Sequence, residues 1–270
     1  MIEKPLRIGA VSYLNTKPLV HRIEQFAPWA RVCFDLPSRL STRLAAAELD
    51  VALIPSINYF DQPDYHIVSD ACIGCLGPVL SVKLYFRVPP HEVTTLALDE
   101  GSRTSAAMAR ILLWDQFKLK PERESLPIGR GLEDTGADAV LLIGDRAIHP
   151  PQEEFVETWD LGERWCQWSG MPFVFAMWTA PAGVDIRTIG EALSMARDAG
   201  LDELAALAAQ AAPMVGMTTD SCVSYLRDNL YFYLREPQRK ALEFFYQRAL
   251  DLGLVLSGRS LKFDDYQATR

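Results

Sequence analysis

Apolar residues in this chain come in two textures, short unbroken runs and longer stretches with a helical repeat, and the two alternate through the first half. Leu6 to Val11 reads as a strand. Pro18 suits the first turn of a helix through "LVHRIEQF", with Asn15 or Thr16 as its cap. "RVCFDL" reads as a second strand, and "SRLSTRLAAAELD" as a helix with Ser38 as cap and Leu40, Leu44 and Leu49 on one face. "VALIPS", Val51 to Ser56, is short and apolar enough for a fully buried strand. Strand, helix, strand, helix, strand predicts a parallel sheet with helices on its faces.

From Ile73 to Val88 the pattern turns β-rich, and a new α/β unit follows. It comprises a strand at "TTLALD", a helix at "SRTSAAMARILLWDQF" and a buried strand at "ADAVLLIGD". The apolar run "MPFVFAMWTA" leads into a tail that reads as helical throughout, in "TIGEALSMARDAG", "LDELAALAAQAA", "SCVSYLRDNLYFYL" and "PQRKALEFFYQRALDLG". The β-rich crossings near Val82 to Val88 and Phe173 to Thr179 divide the chain into two lobes. Residues 1–86 and 177–270 form lobe one and residues 87–176 lobe two, with a cleft between facing strand ends.

Composition narrows the chemistry. A net charge of -8 without any run of Lys or Arg argues against nucleic acid, while a small anion remains compatible because backbone dipoles can hold one. No stretch has the roughly 20 apolar residues of a bilayer span, and the start "MIEKPLRIGAV" lacks a secretory signal, so a cytoplasmic protein without membrane contact is expected. The odd count of five Cys agrees. Cys72 and Cys75 form a C-x-x-C, but no second pair follows at ligand spacing, and small buried residues are the simpler reading.

Candidate chemistry stands at the strand ends, which carry "SYLNT" (Ser12 to Thr16), Pro55 and Ser56, "DEGSRTS" (Asp99 to Ser105) and "IGD" (Ile143 to Asp145). Ser102, Thr104 and Ser105 fall where a helix begins, so hydroxyls and free amides there can bind a carboxylate or simply cap the helix. Asn15 and Thr16 begin another helix, and two such starts in one cleft would hold a ligand with two carboxylates. Asp145 ends a buried strand, either as an acid or base with a raised pKa or as a cap for "RAIH". No hydrolase, zinc, Walker or dinucleotide motif is present.

The blocks "GAVSYLNTKPL", "AELDVALIPS", "ALDEGSRTSAAMARILL", "AVLLIGDRAI", "WDLGERW" and "SGMPFVFAMW" resemble, in order and spacing, the chorismate dehydratases of the futalosine route to menaquinone. The resemblance is dense from Arg7 to Trp178 and loose in the tail. It implies the α/β two-lobed fold of type II periplasmic binding proteins, and conversion of chorismate to 3-enolpyruvylbenzoate and water with no cofactor and no metal. Loss of the proton on the ether-bearing ring carbon and of the neighbouring hydroxyl leaves a benzene ring. The enzyme then chiefly holds one conformer, and the substrate's own enolpyruvyl carboxylate can take the proton.

Carried over by position, the resemblance implies Asn15 as the catalytic residue. Ser12, Thr16, Ser56 and Ser81 would contact substrate from the first lobe, and Ser102, Arg103, Thr104 and Ser105 from the second. Asp145 and the Gly170 to Phe173 turn would either contact substrate as well or only shape the cleft. A related enzyme of the route, 1,4-dihydroxy-6-naphthoate synthase, uses a His base where this chain has Gly144 and Asp145, and only the nearby His149 keeps it as a rival. A small-anion-binding protein without catalysis is the rival of another class. The aromatic residues of "SYLRDNLYFYL" and "EFFYQRAL" leave a homodimer face and an ordinary helix core both open.

Overall fold

The computed structural model describes residues 5–256 and Leu261. Leu6–Val11 (β1) lies parallel to Ala30–Asp35 (β2) and to Val51–Pro55 (β3). Phe173–Pro181 (β10) runs antiparallel between β3 and Tyr65–Cys75 (β4), and Tyr231–Tyr233 (β11) closes the far edge, giving the order β11-β4-β10-β3-β1-β2. The second sheet, β7-β6-β8-β5-β9, is built from Val82–Phe86 (β5), Thr95–Asp99 (β6), Glu122–Leu126 (β7), Ala139–Ile143 (β8) and Glu157–Asp160 (β9). β3 and β8 are buried along their whole length, as expected for strands covered on both faces.

Sheet membership moves the crossings. β5 pairs with β8 and β9, and β10 belongs entirely to the first sheet, so the chain passes between lobes at 76–81 and 170–172 rather than after residues 86 and 176. Hydrogen-bond pairing decides this, and strand texture does not reveal it. The outgoing crossing is pinned by Asp160, whose carboxylate accepts the amides of Val79 (2.9 Å) and Leu80 (2.6 Å).

Helices cover both sheets. They are Ile23–Phe26 (α1), Pro37–Ala45 (α2), Ser56–Tyr59 (α3), Arg103–Phe117 (α4), Asp145–Ile148 (α5), Leu161–Ser169 (α6), Ile186–Asp202 (α7), Leu204–Ala211 (α8), Thr219–Ser224 (α9) and Glu236–Asp251 (α10). The expected Pro18 helix is instead a 3-10 turn, Leu14–Val20, broken from α1 by Arg22 at φ 53°. The left-handed Arg22 interrupts the ladder of helical hydrogen bonds, so the expected helix is divided and only Ile23–Phe26 is α-helical. α2 starts at Pro37 with Ser38 inside it, and Leu49 joins Leu40 and Leu44 in the core from beyond its end.

The tail is not helical throughout. α9 widens into a π-type turn, Tyr225–Asn229, and Tyr231–Tyr233 then pairs with β4, Phe232 facing in and its Tyr neighbours half-exposed. β7 and β9 also escape the apolar pattern, because short edge strands with charged residues carry little of it. Phe245 and Tyr225 are fully buried, and Trp165 packs edge-on against Phe173 and Phe245. The aromatic rings of the tail therefore serve the core. Cys72 and Cys75, three residues apart on β4, face opposite sides; Cys75 meets Cys166 of α6, and all five cysteines are free. No helix among the described residues is long and apolar enough to cross a membrane.

Candidate active site

The C-terminal ends of β1, β3 and β8, the crossing at 76–81 and the start of α4 converge on a cavity of about 50 Å³. Its polar lining is Tyr13, Asn15, Ser81, Ser102 and Ser105, and Ile73, Val79 and Phe175 contribute to its apolar wall. Among the described residues, no charged side chain lines it. A wider groove of about 790 Å³, bordered by Arg39, Arg43, Arg103 and Arg123 together with Asp35 and Glu100, meets it at Ser102.

The first lobe supplies Asn15 through the 3-10 turn. The Thr16 hydroxyl donates to Asn15 Oδ1 at 3.4 Å, and Thr16 is otherwise buried beneath the turn. The start of this turn does not face a ligand, contrary to the two-helix expectation. The Leu14 amide donates across the lobes to Asp145 Oδ1 (3.1 Å) and Oδ2 (3.3 Å), so a protein carboxylate already occupies the position expected for a substrate carboxylate. Asp145 is therefore a cross-lobe cap, and it is absent from the cavity wall.

Burial raises the Asp145 pKa above its usual 3.8, against the opposing pull of the Leu14 amide, Lys17 and His149. A carboxyl whose folded pKa is raised binds its proton more tightly in the native state, so its ionisation removes stability as pH rises from 3.8 through the folded value. Asp145→Asn keeps an acceptor for Leu14 and lacks this ionisation. Denaturant unfolding at a series of pH values is expected to show the variant gaining on the parent across that window and holding a constant difference above it. A difference that does not change with pH would refute this.

Tyr13 crosses the cleft beside Asn15. Its ring lies against Gly144, where a Cβ would sit 2.7 Å from ring carbons and where φ is +74°, so only glycine fits. Burial, with Asp99 nearby, raises the Tyr13 pKa and keeps the phenol protonated.

The second lobe presents α4. Asp99, 3% exposed, accepts the amides of Gly101 (2.9 Å) and Ile143 (3.1 Å) and pairs with Arg146, which fixes the turn before the helix. Ser102 caps α4 by accepting the Ser105 amide at 3.2 Å and donates to the Ser105 hydroxyl at 2.8 Å. The amides of Arg103 and Thr104 have no intrahelical acceptor and are the donors left at this end.

The expected site residues thus separate into groups. Asn15, Ser81, Ser102 and Ser105 come together on the cavity wall. Ser56 and Thr104 lie fully buried behind it, where Ser56 donates to the Val174 carbonyl at 2.8 Å and Thr104 Oγ1 accepts the Ile57 amide at 3.2 Å. Their hydroxyls are 3.4 Å apart and join the lobes rather than open on the cavity. Ser12 is exposed, its amide donating to the Asp35 carbonyl, and Arg103 points into the outer groove with Nη2 on the Thr42 hydroxyl at 3.3 Å. The Gly170 to Phe173 turn lies off the cavity. His149 is exposed, bonded to the Val215 carbonyl at 2.8 Å, so the cavity has no His base. Sequence reasoning missed Tyr13 and Asp99, although both stand inside stretches it singled out, and it missed Tyr225, which reads as an ordinary helix residue.

Comparison with known proteins gives the arrangement a context. The chain is 32% identical over 263 residues to the chorismate dehydratase of Thermus thermophilus, covering 90% of this chain and 94% of that protein. Its fold is similar to that of a protein from Archaeoglobus fulgidus (TM-score 0.73, 14% identity, 94% and 99% of the two chains). It is similar as well to the periplasmic aliphatic sulphonate binding protein of Escherichia coli (TM-score 0.63, 14% identity, 99% and 98%). A family model described as menaquinone biosynthesis matches residues 6–251, which include both sheets, the inter-lobe cavity and the π-type turn. The chain belongs to this menaquinone biosynthesis family.

Proposed function

We propose that this protein is a chorismate dehydratase, a hydro-lyase that eliminates water from chorismate to give 3-enolpyruvylbenzoate in menaquinone biosynthesis. The observation that carries the reading is the uncharged, hydrogen-bonding wall of the inter-lobe cavity, found in a chain 32% identical to an enzyme of that name. Elimination from chorismate ends in an aromatic ring, so the site needs to hold one conformer and assist a departing hydroxyl more than it needs a strong base. Asn15 from the first lobe, Ser81 at the end of the crossing and Ser102 and Ser105 from the second lobe stand together on the wall of that cavity. The two open amides of α4 favour one carboxylate there.

The second carboxylate has no equivalent helix end, because Asp145 takes the Leu14 amide. With no carboxylate or imidazole among the described residues on the wall, the proton passes from the ring to the substrate's enolpyruvyl carboxylate and from there to the hydroxyl, which departs as water toward the donors of Asn15 and Ser81. A cavity of about 50 Å³ is smaller than the few hundred Å³ of a ligand site, so the lobes part around 76–81 and 170–172 for the substrate to enter.

The test is to incubate the purified protein with chorismate, follow the loss of diene absorbance and identify the product by mass. Appearance of a product lighter by one water, in amounts exceeding the enzyme, is expected. Binding without turnover would instead favour an anion-binding protein.

A further inference from the structure

Tyr225 opens the π-type turn that interrupts the last part of the tail before β11. Its side chain is fully buried, and its hydroxyl forms no hydrogen bond of ordinary geometry. That hydroxyl lies against the Ser81 hydroxyl of the crossing and the Asn15 amide of the first lobe, both on the cavity wall. A buried O–H without an acceptor is rare in native proteins because leaving it unpaired costs stability. Burial raises its pKa and keeps the phenol protonated, while the Ser81 and Asn15 donors that face its oxygen pull the other way.

The turn is anchored where this matters. Asn229 donates to the Pro78 carbonyl at 2.9 Å, which ties the same turn to the crossing that carries Ser81. π-type turns place a side chain where a regular helix would not, and they recur at functional sites.

We infer that Tyr225 is a positioning residue of the elimination site, its hydroxyl directing the Asn15 amide and the Ser81 hydroxyl from behind the cavity wall. The chemistry of the donors gives the sense. Thr16 Oγ1 already donates to Asn15 Oδ1, though at a long 3.4 Å. The Asn15 amide and the Ser81 hydroxyl face the Tyr225 oxygen as donors, so Tyr225 takes one hydrogen of the Asn15 NH2 group and leaves the other directed at the departing hydroxyl. Without Tyr225 the Asn15 amide has one weak bond to choose between its two orientations.

This inference rests on the dehydratase reading, and Tyr225→Phe tests it while keeping the ring and the packing. The variant is expected to lose about 10- to 100-fold in kcat, the range for a misplaced reacting group, with KM nearly unchanged. Its melting temperature is expected to stay close to the parent's, because the ring and its packing are kept and the hydroxyl lost forms no hydrogen bond of ordinary geometry. In an Asn15→Ala background the same substitution is expected to cost less than in the parent, since the part that acts through the Asn15 amide is already lost and only the part through Ser81 remains.

Full kcat in Tyr225→Phe overturns the inference. So does an equal loss in the Asn15→Ala background, or a loss of activity accompanied by a fall in melting temperature, which would mark a structural role. A parent protein inert toward chorismate overturns the functional reading and this inference together, whereas an active parent with an unaffected Tyr225→Phe overturns the inference alone.

Discussion

Asn15→Ala is expected to reduce kcat for chorismate by about 10²- to 10³-fold, the loss that follows removal of one preorganised donor from a water-poor site. That corresponds to about 3–4 kcal/mol of transition-state stabilisation. Its effect on folding is expected to be far smaller. Asn15 is half-buried, and the hydrogen bond its side chain accepts from the Thr16 hydroxyl is long at 3.4 Å, worth no more than about 1 kcal/mol. The catalytic term therefore exceeds the structural one, and the variant should unfold close to the parent's denaturant midpoint while turning over slowly. KM should change less than kcat, because the α4 amides and Ser102 remain to bind substrate. Steady-state kinetics with an unfolding curve on one preparation decide the matter. A variant with parental kcat removes Asn15 from the mechanism.

Gly200→Ala should damage stability and turnover at once. Gly200 lies in α7, where a Cβ would stand 2.2 Å from the Pro18 carbonyl oxygen and 2.6 Å from Pro18 Cα. Alanine in a helix interior gains about 1 kcal/mol over glycine. Forcing a methyl group into packed backbone costs about 1–3 kcal/mol or more, and here the neighbour is main chain that cannot rotate aside. The clash wins, and the relief is for the 3-10 turn carrying Asn15 to move off α7. A displacement of about 1 Å at a reacting group can cost 100-fold in rate.

Gly190→Ala separates this from general loosening. On the same helix, its Cβ would meet the Val68 carbonyl oxygen at 2.2 Å, but Val68 is in β4 and away from the Asn15 turn. It should lower the melting temperature and leave the kcat of the folded fraction unchanged. Equal kcat losses in the two variants would show that α7 does not position Asn15.

The Ser56 and Thr104 pair shows the limit of residue-type reasoning. Both hydroxyls stand at strand or helix ends where a ligand contact and a structural contact look identical in sequence. The structure gives them to the Val174 carbonyl and the Ile57 amide, behind the cavity. Asp145 followed the same course: its buried strand end was legible, but its partner, the Leu14 amide 131 residues away, was not. Pairing across lobes depends on how the two sheets face each other, and no local pattern encodes that.

What the chain determined by itself is the set of buried strands and the polar stretches at their ends. Val51–Pro55 and Ala139–Ile143 are unbroken apolar runs because both sheet faces are covered. Ser102 caps α4 because a hydroxyl before "RTSAAMARILL" answers the free amides at the helix start. Tertiary structure alone decided the edge strands β7, β9 and β11, the true crossings at 76–81 and 170–172, the 3-10 turn under Asn15 and the placing of Tyr225 behind it. These depend on contacts between residues far apart in the chain, where packing and pairing energies outweigh the local preferences that a sequence displays.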